Sequence, residues 1–346
     1  MSIIEPINAL HAEMAAWRRD LHAHPEMAFE EYRTAEFVAG KLASFGIAVH
    51  RGLARTGVVG SLKVGSSDRA VGLRADLDAL PIQETNTFEH RSRHAGRMHA
   101  CGHDGHVAML LGAAQHLAAS RSFDGTIHFI FQPAEESRGG GRAMVEEGLF
   151  ERFPVDAVFG MHNWPGLPVG EFAVMPGPMM ASSDEFEIRI TGRGGHAAMP
   201  HQTVDPVVVG SQIVQALQTI VSRRTNPADA TVVTVTQFHS GDAINVIPGE
   251  AVLSGTSRAF QPAVQDLIEE GIRRICAGVA AAHGAQIAVR YERRYPPTIN
   301  TPAEAAFAAA VMRDIIGEKN VHTGLAPTMG AEDFAFMLQV RPGAYA

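Results

Sequence analysis

Five histidines, a cysteine and an aspartate crowd one segment of the chain: His90, His94, His99, Cys101, His103, Asp104 and His106. Further along comes Gln132-Pro133-Ala134-Glu135-Glu136. Cys101 and His103 offer a thiolate and an imidazole on either side of Gly102, where the chain can turn tightly and point both side chains inward. Glu135 and Glu136 offer one carboxylate to bind a metal and one to move protons. Adjacent carboxylates at a strand end are expected to diverge, so that one ligates while the other faces the attacking water. This set is what a water-activating metal centre needs, and it predicts a metallohydrolase. The plainer readings are a buried cysteine beside a surface histidine, and an exposed acidic turn. The Gly-flanked cluster and the apolar run before the Glu pair favour the metal site.

Other residues join that centre only by context. His162, in Gly160-Met-His162-Asn163-Trp164, would by itself be a satisfied structural histidine; it counts only as a third or fourth ligand. His99, Asp104 and His106 are expected behind the ligands, since a metal-bound imidazole needs a carboxylate or carbonyl on its other nitrogen. Arg74-Ala-Asp76-Leu-Asp78-Ala-Leu-Pro81 places two carboxylates after an apolar run. Asp76 would orient a ligand or tune the water, and Asp78 is nearly as well explained by turn chemistry before Pro81.

Periodicity supplies the elements that must hold these groups. Helices are expected at 3–23, 29–45, 105–119 and 139–149, and strands at 57–64, 70–75, 125–131 and 156–161. Their alternation predicts an α/β domain with its ligands outside the carboxyl ends of strands, where Glu135, Glu136 and His162 fall. After Met175-Pro-Gly-Pro178 the pattern changes to strand 184–191, helix 203–223, strands 231–239 and 250–258, helix 262–283 and strand 285–293. That β-α-β-β-α-β order predicts an inserted ferredoxin-like α+β domain of about 110 residues, a plausible independent size. A helix at 302–316 returns the chain to the first domain. The expected division is 1–180, 181–293 and 294–346.

Composition excludes several classes. The 346 residues carry a formal net charge of -8 and no basic stripe with interleaved aromatics, so nucleic acid is not an expected partner. Two cysteines in a chain this long give no disulfide framework, and Cys276 reads as a small core residue. No apolar run reaches membrane-spanning length, and no leader signal precedes the first helix, so the cytoplasm is the expected compartment; it would also keep Cys101 reduced. Gly192-Arg-Gly194-Gly195-His196 is a weak dinucleotide signal, and Gly139-Gly-Gly141 lacks the ending of a phosphate loop and reads as a turn opening a helix. His-Glu-x-x-His and Gly-x-Ser-x-Gly are both absent.

Taken together, several motifs resemble the M20 metallopeptidase superfamily, and most closely its amidohydrolase branch of hippurate hydrolases, N-acyl-amino-acid deacylases and auxin-conjugate hydrolases. They are Arg74–Pro81, His99-Ala-Cys-Gly-His-Asp-Gly-His106, Gln132–Glu136, Gly160-Met-His162, Gly194-Gly-His196-Ala-Ala-Met-Pro200, Asn245-Val-Ile-Pro248 and Gly330-Ala-Glu-Asp-Phe334. The resemblance implies a zinc-peptidase-like catalytic domain whose insert is a lid and dimerisation domain. It implies two divalent ions (zinc, manganese, cobalt or nickel), with Cys101, His103, Glu136 and His162 as ligands. Glu135 would be the general base and then the general acid, and Asp76 would assist it. His196 would reach from the lid of a partner subunit to the substrate carbonyl, and Asn245 and Arg258 would hold the substrate carboxylate. The implied reaction is hydrolysis of the amide bond of a small N-acyl amino acid by a homodimer or a dimer-based tetramer.

Other M20 branches carry His where this chain has Arg74; the amidohydrolase branch shares the arginine and uses Cys101. Relatives also continue past a segment like Arg341-Pro-Gly-Ala-Tyr345 into a final His ligand, a strand and a closing helix. The chain therefore reads as C-terminally truncated, with its second catalytic segment incomplete, its second metal site weakened and its activity dependent on added metal. The alternatives are a truncated, non-catalytic metal-binding homologue and an M20 dipeptidase; Arg74 and Cys101 speak against the latter.

Overall fold

The computed structural model describes residues 4–346. They form two compact units. One comprises the described residues through Met179 with Ile299–Ala326 and Asp333–Ala346; the other comprises Met180–Thr298 and Pro327–Glu332.

The first unit is built on a six-stranded mixed sheet. In chain order its strands are β1 (Ala48–Leu53), β2 (Gly57–Val64), β3 (Ala70–Asp76), β4 (Gly125–Gln132), β5 (Ala157–Gly160) and the strand Gly343–Tyr345, and in space they run β1-β2-β4-β3-β5 and then Gly343–Tyr345. β3, β4, β5 and the last strand are parallel, while β1 and β2 close one side antiparallel. The central parallel strands are nearly continuous apolar runs because both faces are covered. Phe129, Ile130 and Phe131 of β4 are all buried. On one face lie α2 (His11–Ala23), α3 (Tyr32–Ser44) and α4 (His103–Ser120), whose Trp17, Leu21, Val38, Leu42, Val107 and Leu111 pack with Phe129 and Phe131. Truncating such a ring to alanine typically costs about 3–5 kcal/mol.

Several expected elements are interrupted. The helix expected from residue 3 starts outside the described residues; it is broken at Leu10, whose N–H bonds the carbonyl of Ile7 at 2.9 Å, giving α1 (Ile4–Ala9) and α2. The helix expected over 139–149 stops at Glu146, because Gly148 takes a left-handed φ of 85° before a further turn at Leu149–Arg152. β1 was not anticipated: most of its residues are exposed, so it carries no alternating apolar signal. Among the described residues no helix is long and apolar enough to cross a membrane.

The second unit has a four-stranded antiparallel sheet ordered Thr231–His239, Glu250–Ala259, Ser183–Thr191, Gln286–Tyr295. The helices Pro206–Thr219 and Pro262–His283 supply Ile213, Leu217, Ile268, Ile272 and Cys276 to a core with Ile188, Ile190 and Leu253 of the sheet. The first of these helices begins at Pro206 and not at residue 203. Asp205 caps it by accepting from Val207 N at 2.8 Å, and proline at the first helical position needs no partner for a missing N–H. Cys276 is buried, and burial pushes its thiol up to about 11.

Candidate metal centre

The ligand candidates stand at the carboxyl ends of β3, β4 and β5. Cys101 and His103 flank Gly102, whose φ of 93° is left-handed and lets the chain turn directly into α4. Glu135 and Glu136 open α5 (Glu135–Arg138), a single turn entered through Ala134 at a φ of 56°. His162 follows β5, and its N–H bonds the carbonyl of Ala346 at 2.9 Å beside the strand Gly343–Tyr345.

These segments converge. Cys101 Sγ lies 3.2 Å from His162 Nε2. His103 Nε2 lies 3.8 Å from Glu136 Oε1. Potential ligand atoms of Cys101, His103 and His162 lie within 4.8 Å of one another, and so do those of His103, Glu135 and Glu136. The two groups share His103. The Glu pair therefore does not diverge as expected: the helical turn after Ala134, absent from a simple strand-end picture, lets both carboxylates approach His103.

The imidazoles are oriented from behind. His103 Nδ1 lies 2.9 Å from the Asp78 carbonyl, to which it donates, so Nε2 is the nitrogen left for a metal, which would displace any proton on it. His162 Nδ1 donates to the Asn163 carbonyl at 2.6 Å, which turns its Nε2 toward Cys101. His106 Nδ1 donates to Asp76 Oδ1 at 2.6 Å and its Nε2 accepts from Asn163 N at 3.0 Å, so it is saturated without a metal. Asp104 does not serve a ligand histidine: it accepts from Arg18 Nε at 2.8 Å and pairs with His22 Nδ1 at 2.8 Å. His99 is buried with neither ring nitrogen hydrogen-bonded, and burial pushes it down to about 4.

A buried polar lattice ties Asp76 to the rest. Arg74 donates to Gln132 Oε1 at 2.8 Å, Asp76 Oδ2 at 2.7 Å and Asp333 Oδ1 at 3.1 Å. Asp333 also accepts from Gln132 Nε2 at 2.7 Å and Gly141 N at 2.8 Å, and its own N–H donates to Glu135 Oε1 at 3.3 Å. Burial pushes the Asp76 carboxyl up, but His103, His106 and Arg74 outweigh it and hold it well below the usual carboxylate range. Burial likewise opposes the charge on His103, yet Asp76, Asp78 and Cys101 hold that imidazole well above its ordinary value. Burial raises Cys101 and Glu136.

Those donors fit a cation. His103 Nε2 and Glu136 Oε1 are buried atoms that lack a hydrogen-bond partner, a costly arrangement unless something positive lies between them. A thiolate, two imidazoles and a carboxylate are the mixed soft and hard donors that zinc, manganese, cobalt or nickel accept.

The remaining expected site residues lie in the second unit. His196 is exposed on a two-residue strand, Gly195–His196, that pairs with Val246–Ile247, the residues just after Asn245. This brings His196 and Asn245 into one small ribbon, where Ala197 N donates to the Asn245 carbonyl at 3.1 Å. Arg258 stands apart, on the strand Glu250–Ala259, half-buried and donating to the Ser257 carbonyl at 3.0 Å. Two further carboxylates hold the backbone at the Glu pair: Asp78, weighed in the sequence against turn chemistry, and Glu31, which nothing in the sequence singles out. Asp78 accepts from Glu135 N and Glu136 N, each at 3.0 Å. Glu31 accepts from Ala134 N at 2.9 Å. Glu31 sat inside a Glu-Glu pair at a helix start, where acidic residues need no further reason.

Comparison with known proteins agrees with this geometry. Residues 72–346 match the Peptidase family M20/M25/M40. The chain is 43% identical to the hippurate hydrolase of Campylobacter jejuni over 346 residues, which is 100% of this chain and 90% of that protein. It is 47% identical to the N-acyl-L-amino acid amidohydrolase of Geobacillus stearothermophilus over 299 residues, 85% of this chain and 80% of the relative. Among solved structures it matches a Bacillus subtilis protein described as a dinuclear metal binding peptidase from M20 family. The TM-score there is 0.84 at 36% identity, covering 98% of this chain and 88% of the other. With its Cys-His-carboxylate cluster at the strand ends and a match over most of its length, the chain belongs to peptidase family M20/M25/M40.

Proposed function

We propose that the protein is a metal-dependent amidohydrolase that cleaves the amide bond of N-acyl amino acids, releasing a carboxylic acid and a free amino acid. The observation that carries this reading is the pair of overlapping ligand groups sharing His103, one of which includes Glu135. The named activities of the relatives from Campylobacter and Geobacillus support it.

Cys101, His103, Glu136 and His162 would hold two divalent ions, zinc, manganese, cobalt or nickel. When bound, the ions supply Lewis acidity to the attacking water and to the scissile carbonyl. Glu135 takes the proton from the water at its carboxylate and returns it to the leaving nitrogen, acting first as base and then as acid. Asp76 holds His106 and, with Arg74, keeps a fixed negative charge behind the ligands. His196 of the partner subunit donates to the carbonyl oxygen as negative charge builds on it. Asn245 and Arg258 bind the substrate carboxylate, for which the guanidinium fork suits two oxygens. On this reading the second unit is a lid and dimer interface, and the working form is a cytoplasmic homodimer. The two free cysteines fit a reducing compartment.

The test is amino-acid release from a panel of N-acyl amino acids, including N-benzoylglycine, with added manganese, zinc or cobalt. Glu135→Ala is expected to lower kcat by at least about 10²-fold, the usual contribution of a positioned acid–base, with metal content unchanged. Retention of most turnover in that variant removes Glu135 from its role.

A further inference from the structure

Three successive backbone N–H groups, those of Ala134, Glu135 and Glu136, are each held by a buried carboxylate from a distant part of the same unit. Glu31 Oε1 accepts from Ala134 N at 2.9 Å. Asp78 Oδ1 accepts from Glu135 N and Asp78 Oδ2 from Glu136 N, each at 3.0 Å. Glu31 and Asp78 are 0% and 1% exposed. Glu31 Oε1 also accepts from Phe29 N at 3.0 Å, and Thr56 Oγ1 donates to Glu31 Oε2 at 2.6 Å.

The backbone explains why such holding is needed. Phe29 and Ala134 both sit in the left-handed region, at φ 63° and 56°. That conformation costs a residue with a Cβ roughly 1–2 kcal/mol and persists only where surroundings impose it. One oxygen of Glu31 pins both strained residues. Ala134 is the pivot between β4 and α5, and α5 is a single turn with no capping side chain of its own. Asp78 additionally reaches the neighbouring ligand, with Oδ1 at 3.3 Å from His103 Nδ1. A glycine or asparagine at 134 would make the turn without two buried carboxylates, whose desolvation is costly. The arrangement specifies where the next two side chains point.

We infer that Glu31 and Asp78 form a carboxylate clamp on residues 134–136, and that both are positioning residues for the reaction. Neither touches the reacting atoms. Together they aim Glu135 at the reaction centre and set Glu136 against the metal. The inference rests on the roles proposed above for Glu135 and Glu136.

The experiment compares Glu31→Ala, Glu31→Gln and Asp78→Asn in the 346-residue chain with the wild type, using Glu135→Ala as the reference for lost chemistry. Turnover of N-benzoylglycine is measured per folded molecule, and zinc affinity is measured by competition with a chromogenic chelator. In Glu31→Gln the amide oxygen still accepts from Ala134 N and Phe29 N, and the amide nitrogen donates to Thr56 Oγ1. In Asp78→Asn an amide donor faces a backbone donor. Glu31→Ala is expected to lower kcat about 10²-fold, the size of effect an ångström of misplacement produces. KM should stay within about threefold, as for a change in transition-state positioning. Glu31→Gln should recover to within about threefold of the wild type, a rescue that lost stability alone would not give. Asp78→Asn should weaken zinc about 10- to 100-fold, the usual cost of losing a group behind a ligand.

Wild-type kcat in folded Glu31→Ala, or unchanged zinc affinity in Asp78→Asn, overturns the clamp. Should Glu31→Ala not fold, Asp78→Asn decides alone. If the wild type turns over no N-acyl amino acid, or Glu135→Ala stays active, the proposed function falls, while the zinc measurement still decides the clamp.

Discussion

At the scale of single residues, the site is governed by which polar atoms have partners and which do not. His103 donates from Nδ1 to the Asp78 carbonyl and leaves Nε2 bare, whereas His106, three residues on, is saturated at both nitrogens. That contrast separates a ligand from a support more sharply than residue type can. Glu31 offers a pH signature. Burial pushes its carboxyl up from 4.5 to about 7, with the nearby Asp78 charge adding to the shift. Between these values the folded chain holds a proton that the unfolded chain has lost. Stability from this group is therefore fully present below the unfolded value and is lost as pH rises through about 7, by about 3 kcal/mol at most. Glu31→Gln cannot titrate, so its urea midpoint should gain on the wild type between pH 5 and pH 8 in chelator-treated protein. A constant difference across that range would show that Glu31 keeps an ordinary pKa.

At the scale of elements, legibility followed exposure and period. Strands β2, β3 and β4 were readable because they are apolar runs, and the strand 231–239 and helices 262–283 and 302–316 because their patterns are regular. Cys101, His103, Glu136 and His162 were legible as donors from their types and spacing. Their supports were less so: Asp78 stood evenly between a functional carboxylate and turn chemistry and Glu31 looked like a helix-start acid, since what matters is whose N–H they meet across 57 and 103 positions of chain. The turn at Gly102 makes the element-scale prediction. Its φ is left-handed, and an added Cβ would come within 2.3 Å of Asn163 Oδ1. The Asn163 backbone holds both His106 Nε2 and His162 Nδ1. Gly102→Ala should therefore displace His162 and weaken zinc about 10- to 100-fold while leaving the helical circular dichroism intact. An affinity within about twofold of wild type would show that Asn163 moves aside freely.

At the scale of the whole molecule, the four proposed ligands come from three separate segments of the first unit: the turn into α4, which carries Cys101 and His103, the turn α5 and the residues after β5. The second unit contributes none of these four and carries its own apolar core. A cation that binds only the folded arrangement ties those segments together. It stabilises them by about 2.7 kcal/mol at a hundredfold excess over Kd. Local openings that separate the ligands must then become rarer, because each breaks a bond to the ion before it exposes an amide. Amide hydrogen exchange on the chelator-treated and zinc-loaded chain should show the added protection concentrated at residues 100–106, 134–138 and 160–163. It should exceed any change in the four-stranded sheet of the second unit. If zinc binds but exchange in these three stretches does not slow, the ion is held elsewhere, and Cys101, His103, Glu136 and His162 lose their assignment together. Slowing at 100–106 and 160–163 alone would retain Cys101, His103 and His162 and remove only Glu136. The same measurement thus apportions the ligand set by segment without depending on turnover.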